Sequence, residues 1–272
     1  MNLIVDSDPA SAPPPPESAS SVSESPHGSP VEVPRHIYQT WHTKDLPPKM
    51  RECVDSLRAD NPELEHHLFD DADCRAFIQS EFGGNVLRAY DSLVPGAYKA
   101  DLWRYCVLYK RGGVYLDIKY RCIDGFKIAA MLGEEHFTKD RYDANYNLRV
   151  YNAFMVCLPQ NEIMRRCIVQ VVENVRTQYY GNSALYPTGP SMMPQFFSPA
   201  QILLLDELSR HSDDERVLFI RYKNKNILSN YPEYRSDQAG SQVTEHYTVM
   251  WAKKNIYGPP FRTVSMAKFR FN

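Results

Sequence analysis

Residues 95–122, PGAYKADLWRYCVLYKRGGVYLDIKYRC, leave the chain few ways to fold. The run from Ala97 to Arg111 is apolar on most sides, through Leu102, Trp103, Tyr105, Cys106, Val107, Leu108 and Tyr109. A helix that is apolar all round must be buried. Pro95 opens it, Lys110 and Arg111 complement the dipole at its end, and Gly112 and Gly113 release the chain. GVYLDIKYRC then reads as a strand.

The flanking segments continue the alternation. RHIYQTWH predicts a strand over Arg35 to Trp41, and PPKMRECVDSLRADNP a helix with Met50, Val54 and Leu57 on one face. ELEHHLFDD predicts a second strand, DADCRAFIQSEFGG a helix ended by Gly83, and VLRAYDSL a short helix. This order argues for an α/β layered fold with a largely parallel sheet. Further on, VYNAFMVCLP predicts a strand ending at Pro159, and a helix runs from Asn161 until Gly181 stops it. YPTGPSMM reads as a loop, and ERVLFIRY and HYTVMWAK as late strands.

With 272 residues, 43% hydrophobic, and a net charge of -2, the chain suits one globular domain. Near-balanced charge gives no reason to expect nucleic acid or an anionic membrane as partner. No run reaches the roughly 18 apolar residues of a transmembrane segment, and MNLIVDSDPA lacks the basic start of a signal peptide. The expectation is a cytoplasmic protein, at most peripheral to a membrane. Residues 1–33, rich in Pro and Ser, are expected to be a disordered tail, and 34–272 the folded domain. The six cysteines show no zinc or disulfide spacing and are expected to be reduced and buried.

Asp101 and Arg104 stand three residues apart on one face of the buried helix, and buried charges need partners. They form either a structural salt bridge or a pair aimed at a polar ligand. Aspartate suits a sugar hydroxyl, and arginine a phosphate or carboxylate. On the strand, Val114, Leu116 and Ile118 share one face and Tyr115, Asp117 and Lys119 the other, which sets Asp117 and Lys119 about 6 to 7 Å apart. Ligands of α/β sheets bind beyond the carboxyl ends of strands, within reach of Asp117.

ADLWRYCVLYKRGGVYLDI resembles the signature of the family 32 glycosyltransferases, the group with a DXD sugar-binding motif. That family includes initiating α-mannosyltransferases and capsular polysaccharide enzymes. Its pattern is an Asp-x-x-Arg-Tyr helix, a Gly-Gly pair, then Tyr-x-Asp-x-Asp, met here by Asp101, Arg104, Tyr105, Gly112, Gly113, Tyr115 and Asp117. PRHIYQTWH, the Asn152 strand, Thr188 to Pro190 and HYTVMW resemble flanking elements of the same family.

The resemblance implies a single-domain GT-A fold, a Rossmann-like sheet holding a nucleotide sugar, with Mn²⁺ or Mg²⁺ and retention of configuration. It implies that Ile37, Gln39 and Trp41 line the nucleotide pocket, and that Asp101 and Arg104 hold the donor sugar and diphosphate. By the same carry-over Tyr115, Asn152, His246 and Trp251 also belong to the donor site, with Asp117 as first DXD acid and metal ligand. The implied donor is GDP-mannose, UDP-galactose or UDP-glucose, and the acceptor a glycan or a lipid-linked chain.

The chain departs from the pattern at the second DXD acid, which is Lys119. Three readings stay open. Lys119 replaces the metal, since an aspartate with a divalent ion and a lysine ammonium both sum to about +1. Alternatively a metal still binds through Asp117, helped by Asp124. Or the chain is catalytically inactive and only binds a nucleotide or glycan.

Overall fold

The computed structural model describes residues 32–140, 148–210, 214, 216–241 and 243–260. Residues 1–31 of the expected tail lie outside them, while Val33 is already buried and bonded to Leu132, so the fold is under way by that residue.

Strand β1 (His36–Thr40), helix α1 (Pro48–Asp60) and strand β2 (Glu65–Phe69) come first. Helices α2 (Asp71–Glu81), α3 (Gly84–Ser92) and α4 (Gly96–Arg111) lead to β3 (Gly113–Leu116) and β4 (Tyr120–Cys122). Then come β5 (His136–Asp140), β6 (Arg149–Cys157), α5 (Glu162–Arg176), α6 (Pro199–Leu203), β7 (Asp206–Arg210), β8 (Leu218–Tyr222) and β9 (Lys225–Asn230). Helices α7 (Tyr234–Ser241) and α8 (Tyr247–Ala252) close the described fold.

Among the described residues nine strands run in the order β2-β1-β3-β6-β5-β7-β8-β9-β4. Pairing is parallel in β2-β1-β3 and between β5 and β7 and antiparallel elsewhere, so the α/β sheet is mixed. Alternation along the strands splits the core between two faces. Tyr38, Tyr115 and Met155 pack with α2, α3, α4 and α5. Ile37, Val114, Phe154 and Val156 pack on the other face with Leu57 of α1. All six cysteines are buried and free of disulfides.

Three expectations change. GVYLDIKYRC is not one strand: β3 stops at Leu116, a turn bonds Tyr120 N–H to the Asp117 carbonyl, and β4 leaves to pair with β9. HYTVMWAK is helix α8, not a strand, because the His246 ring accepts from Thr248 N–H and caps a helical turn that buries Met250. Helix α5 ends at Arg176, short of Gly181, with the Thr177 amide bonding back to Glu173.

Gly112 turns α4 into β3. Its backbone, φ 62 and ψ -163, is open only to glycine, and a Cβ there would lie 2.6 Å from the Pro159 backbone nitrogen. Gly112→Ala is expected to lower unfolding free energy by about 3 kcal/mol. Urea denaturation would measure it, and a loss below about 1 kcal/mol would mean that the turn relaxes freely.

Candidate functional site

The site is built where the carboxyl ends of β1 and β3 meet helix α4. Arg104, buried on α4, is its hub. Its Nη1 donates to the Asn152 carbonyl at 2.8 Å and to Asp117 Oδ1 at 3.3 Å. Nη2 lies 3.3 Å from Asp101 Oδ1, Nε donates to the Ala100 carbonyl, and the guanidinium stacks 4.3 Å from the Tyr115 ring centroid. The planar fork thus meets two carboxylates and an aromatic face together, which a lysine could not do.

Asp101 is saturated. Asn152 Nδ2 donates to it at 2.9 Å and Thr188 Oγ1 at 2.6 Å. Asn152 Nδ2 also reaches the Tyr105 hydroxyl, which itself donates to the Thr188 carbonyl. The loop carrying Thr188 comes this close because the next residue is glycine: a Cβ on Gly189 would lie 3.1 Å from Asp101 Oδ2.

Asp117 stands just past β3, its amide bonded to the Ala153 carbonyl. The Tyr115 hydroxyl donates to Oδ1 at 3.0 Å and Lys119 Nζ to Oδ2 at 2.5 Å. Sequence alternation pairs these two residues along a strand, but a turn brings them into contact. Burial pushes the Asp117 pKa up, yet Lys119 and Arg104 outweigh it and hold the carboxyl below its usual range. Burial likewise opposes the Lys119 charge, and Asp117, Tyr151 and Tyr234 overcome it, so its pKa rises. The ammonium sits 5.3, 5.6 and 5.4 Å from the ring centroids of Tyr120, Tyr151 and Tyr234. This three-ring cage favours a cation.

The other expected residues divide. Gln39, fully buried, donates through Nε2 to the Asp117 carbonyl at 3.4 Å and accepts at Oε1 from His66 Nε2 at 2.7 Å. Trp41 packs against Tyr234 at 6.4 Å, and its Nε1 has no hydrogen-bond partner among the described residues. His246 lines a cleft of about 350 Å³ with Arg235, Gln238 and Ala239. Ile37 points into the core instead of a pocket, packed with Leu57 and Val114. Trp251 donates to the Tyr180 carbonyl and lies under Lys254, with no contact to the charged cluster among the described residues. Tyr234 and Arg235 escaped sequence reasoning. They follow β9, far along the chain, and no spacing links them to Asp117.

A hard divalent ion wants several oxygen ligands. The residues around Asp117 do not supply them. Its two oxygens are held by Arg104, Tyr115 and Lys119, and Asp101 is saturated by its own donors. Asp124 sits exposed past β4, with no contact to Asp117 among the described residues.

The sign of the Asp117 shift sets a pH signature. A depressed carboxyl pKa gives stability that is present above about pH 4 and lost as pH falls through the folded value. Lys119→Met leaves a largely buried carboxylate with Arg104 as its remaining cation, and should cost about 2–4 kcal/mol at pH 7. The deficit should shrink as pH falls below the usual carboxylate range and Asp117 takes a proton. Chemical denaturation of both proteins from pH 3 to 8 checks this, and a deficit independent of pH would refute the coupling.

Residues 47–138 match the family described as a glycosyltransferase sugar-binding region containing the DXD motif. Asp101, Arg104, Tyr115, Asp117 and Lys119 fall inside that segment, and Gln39, Asn152 and His246 outside it. Over 94 residues the chain is 36% identical to inositol phosphoceramide mannosyltransferase 3 of Schizosaccharomyces pombe, covering 33% of this chain and 25% of that protein. Over 91 residues it is 32% identical to the initiation-specific alpha-1,6-mannosyltransferase of Candida albicans, covering 31% and 24%. An uncharacterized glycosyltransferase of Acanthamoeba polyphaga mimivirus is 29% identical over 92 residues, covering 33% and 37%. The matched stretch spans about a quarter of the length of the two fungal relatives. Among solved structures, PaToxG glycosyltransferase superposes with a TM-score of 0.46 at 17% identity, over 60% of this chain and 68% of that one. No described helix is long and apolar enough to cross a membrane. The charged helix, the glycine pair and the Asp117 turn all lie inside the matched segment, so over residues 47–138 the chain resembles the DXD-containing glycosyltransferases.

Proposed function

We propose that the chain is a retaining hexosyltransferase that takes mannose from GDP-mannose and passes it to a lipid-linked or glycan hydroxyl. The observation that carries this reading is the linked charge array Asp101, Arg104, Asp117 and Lys119, buried or partly buried at the carboxyl end of β3, within the segment that matches the family's sugar-binding region. The fungal relatives are named as mannosyltransferases, which favours mannose over galactose or glucose.

In this reading Lys119 takes the place of the divalent ion. A fixed ammonium in a water-poor cage stabilises the negative charge that builds on a departing nucleoside diphosphate. Arg235, beside His246 on the adjoining cleft, offers a second cation for the diphosphate. Trp41, with its unpartnered indole nitrogen, stands at the end of β1 for the base. Asp101 and Asp117 are both held by donors, so neither carboxylate is free to act as a base. The acceptor proton therefore goes to the leaving phosphate oxygen, as the acceptor oxygen bonds to C1 and the C1–phosphate bond breaks on the same face.

Incubation with UDP- and GDP-sugars, with added Mn²⁺ or with EDTA, and assay of free nucleoside diphosphate tests the reading. Release from GDP-mannose is expected, little changed by either addition. Lys119→Ala should lower kcat by about 100-fold or more, and Arg235→Ala should raise KM by about tenfold. Release that requires Mn²⁺ would refute the role of Lys119. No release from any donor, with a candidate acceptor present, would refute transfer itself.

A further inference from the structure

Histidines stand at two positions where the first two strands lie side by side, away from the charged cluster. Parallel register pairs His36 with Glu65 and Tyr38 with His67. Paired residues in a parallel sheet share a face, so His36, Glu65 and His67 rise from the same side at the start of β1 and β2. His36 Nδ1 lies 3.1 Å from His67 Nε2 and 3.3 Å from one Glu65 oxygen, and the other Glu65 oxygen lies 3.6 Å from His67 Nε2.

Those separations carry the argument. Zinc bound tetrahedrally at about 2.0–2.1 Å from nitrogen and oxygen sets its ligand atoms about 3.3 Å apart. Each pair of side chains already meets close to that spacing, Glu65 offering a different oxygen to each ring. The His67 ring is also fixed in direction, since it stacks on the fully buried Tyr38 at 5.0 Å and 14°. We propose that His36, Glu65 and His67 form a zinc site that clamps edge strand β2 to β1.

Two imidazole nitrogens with one carboxylate suit zinc better than magnesium, calcium or manganese, which favour oxygen. The side chains keep 35%, 67% and 21% of their surface exposed, so an ion can enter and a water can complete the tetrahedron. Arg111 neighbours His67 and opposes a cation, but its guanidinium is drawn over the Phe77 ring at 4.9 Å. The competing explanation is a His–His hydrogen bond beside a weak ion pair. The site does not depend on the reading of the donor cleft, because it shares no residue with Asp117 and its partners.

Tag-free full-length chain, stripped with EDTA and returned to chelator-free buffer, would be titrated with zinc chloride by calorimetry. One zinc per chain is expected, with a rise in Tm of about 5 to 10 °C at a hundredfold excess over Kd. Cobalt in its place should give the visible absorption of a tetrahedral ion. The His36→Gln, His67→Gln double variant should lose the zinc, and Asp117→Asn should keep it. Glu65→Gln, at the exposed ligand, should weaken binding about tenfold or more and decides the matter if the double variant does not fold. Absence of zinc uptake by the folded wild type, or full retention by Glu65→Gln, would overturn the site. Loss of zinc in Asp117→Asn would overturn it as well, by moving the ion to the donor cleft.

Discussion

Four charges, Asp101 and Arg104 buried and Asp117 and Lys119 partly buried, hold the site together, and they sum to zero. Arg104 and Lys119 face Asp101 and Asp117, with Arg104 touching both acids and Lys119 one. None of the four could stay ionised in this interior alone, because desolvation costs several kcal/mol per ion. Each charge is thus a condition for the others. The elements that carry them, α4 and the turn after β3, are fixed relative to each other by charge as well as by packing. Asn152 on β6 and Thr188 on its loop extend that dependence, Asn152 by donating to the Asp101 oxygen that Arg104 also meets and Thr188 by donating to the other.

The backbone around the array is shaped to let this happen. Helix α4 is buried on nearly every side, so it cannot slide to improve a salt bridge without disturbing Leu102, Trp103 and Leu108 in the core. Gly112 and Gly113 then reverse the chain within two residues, which lays Tyr115 under the Arg104 guanidinium. Gly189 admits its loop close to Asp101, where a Cβ would crowd the carboxylate at 3.1 Å. Packing fixes the elements, and glycine permits the polar groups to reach one another across the gaps that remain.

What the sequence reveals depends on whether the cause is local. Helix α4 is legible because its apolar run, its terminal Lys110 and Arg111 and its glycine stop are all within one stretch. Asp101, Arg104 and Asp117 are legible for the same reason, as charges inside buried elements. The end of β3 is not legible from alternation, because Asp117 to Tyr120 form a turn whose cause is the pairing of β4 with β9, over a hundred residues away along the chain. Helix α8 fails in the opposite way: Tyr-Thr-Val-Met alternates like a strand, but a side-chain cap at His246 and one buried residue, Met250, decide in favour of a helical turn. Tyr234 carries no signal at all in one dimension, since its meaning comes only from the lysine that its ring faces.

The substitution at position 119 changes what the site must do to receive a phosphate. With an acid at that place, two carboxylates would repel each other and call for a metal ion between them. With lysine, the pair is already neutral and satisfied, and the ammonium has a partner at 2.5 Å. A diphosphate reaching Lys119 must compete with Asp117 for the same cation. The competition is not hopeless, because Asp117 keeps Arg104 and the Tyr115 hydroxyl if Lys119 turns away, and so is never left bare. The tyrosine cage matters here: Tyr120, Tyr151 and Tyr234 face the ammonium with π surfaces that attract it without neutralising it. A cation held in this way stays available to a stronger anion, which an ammonium enclosed by carboxylates would not.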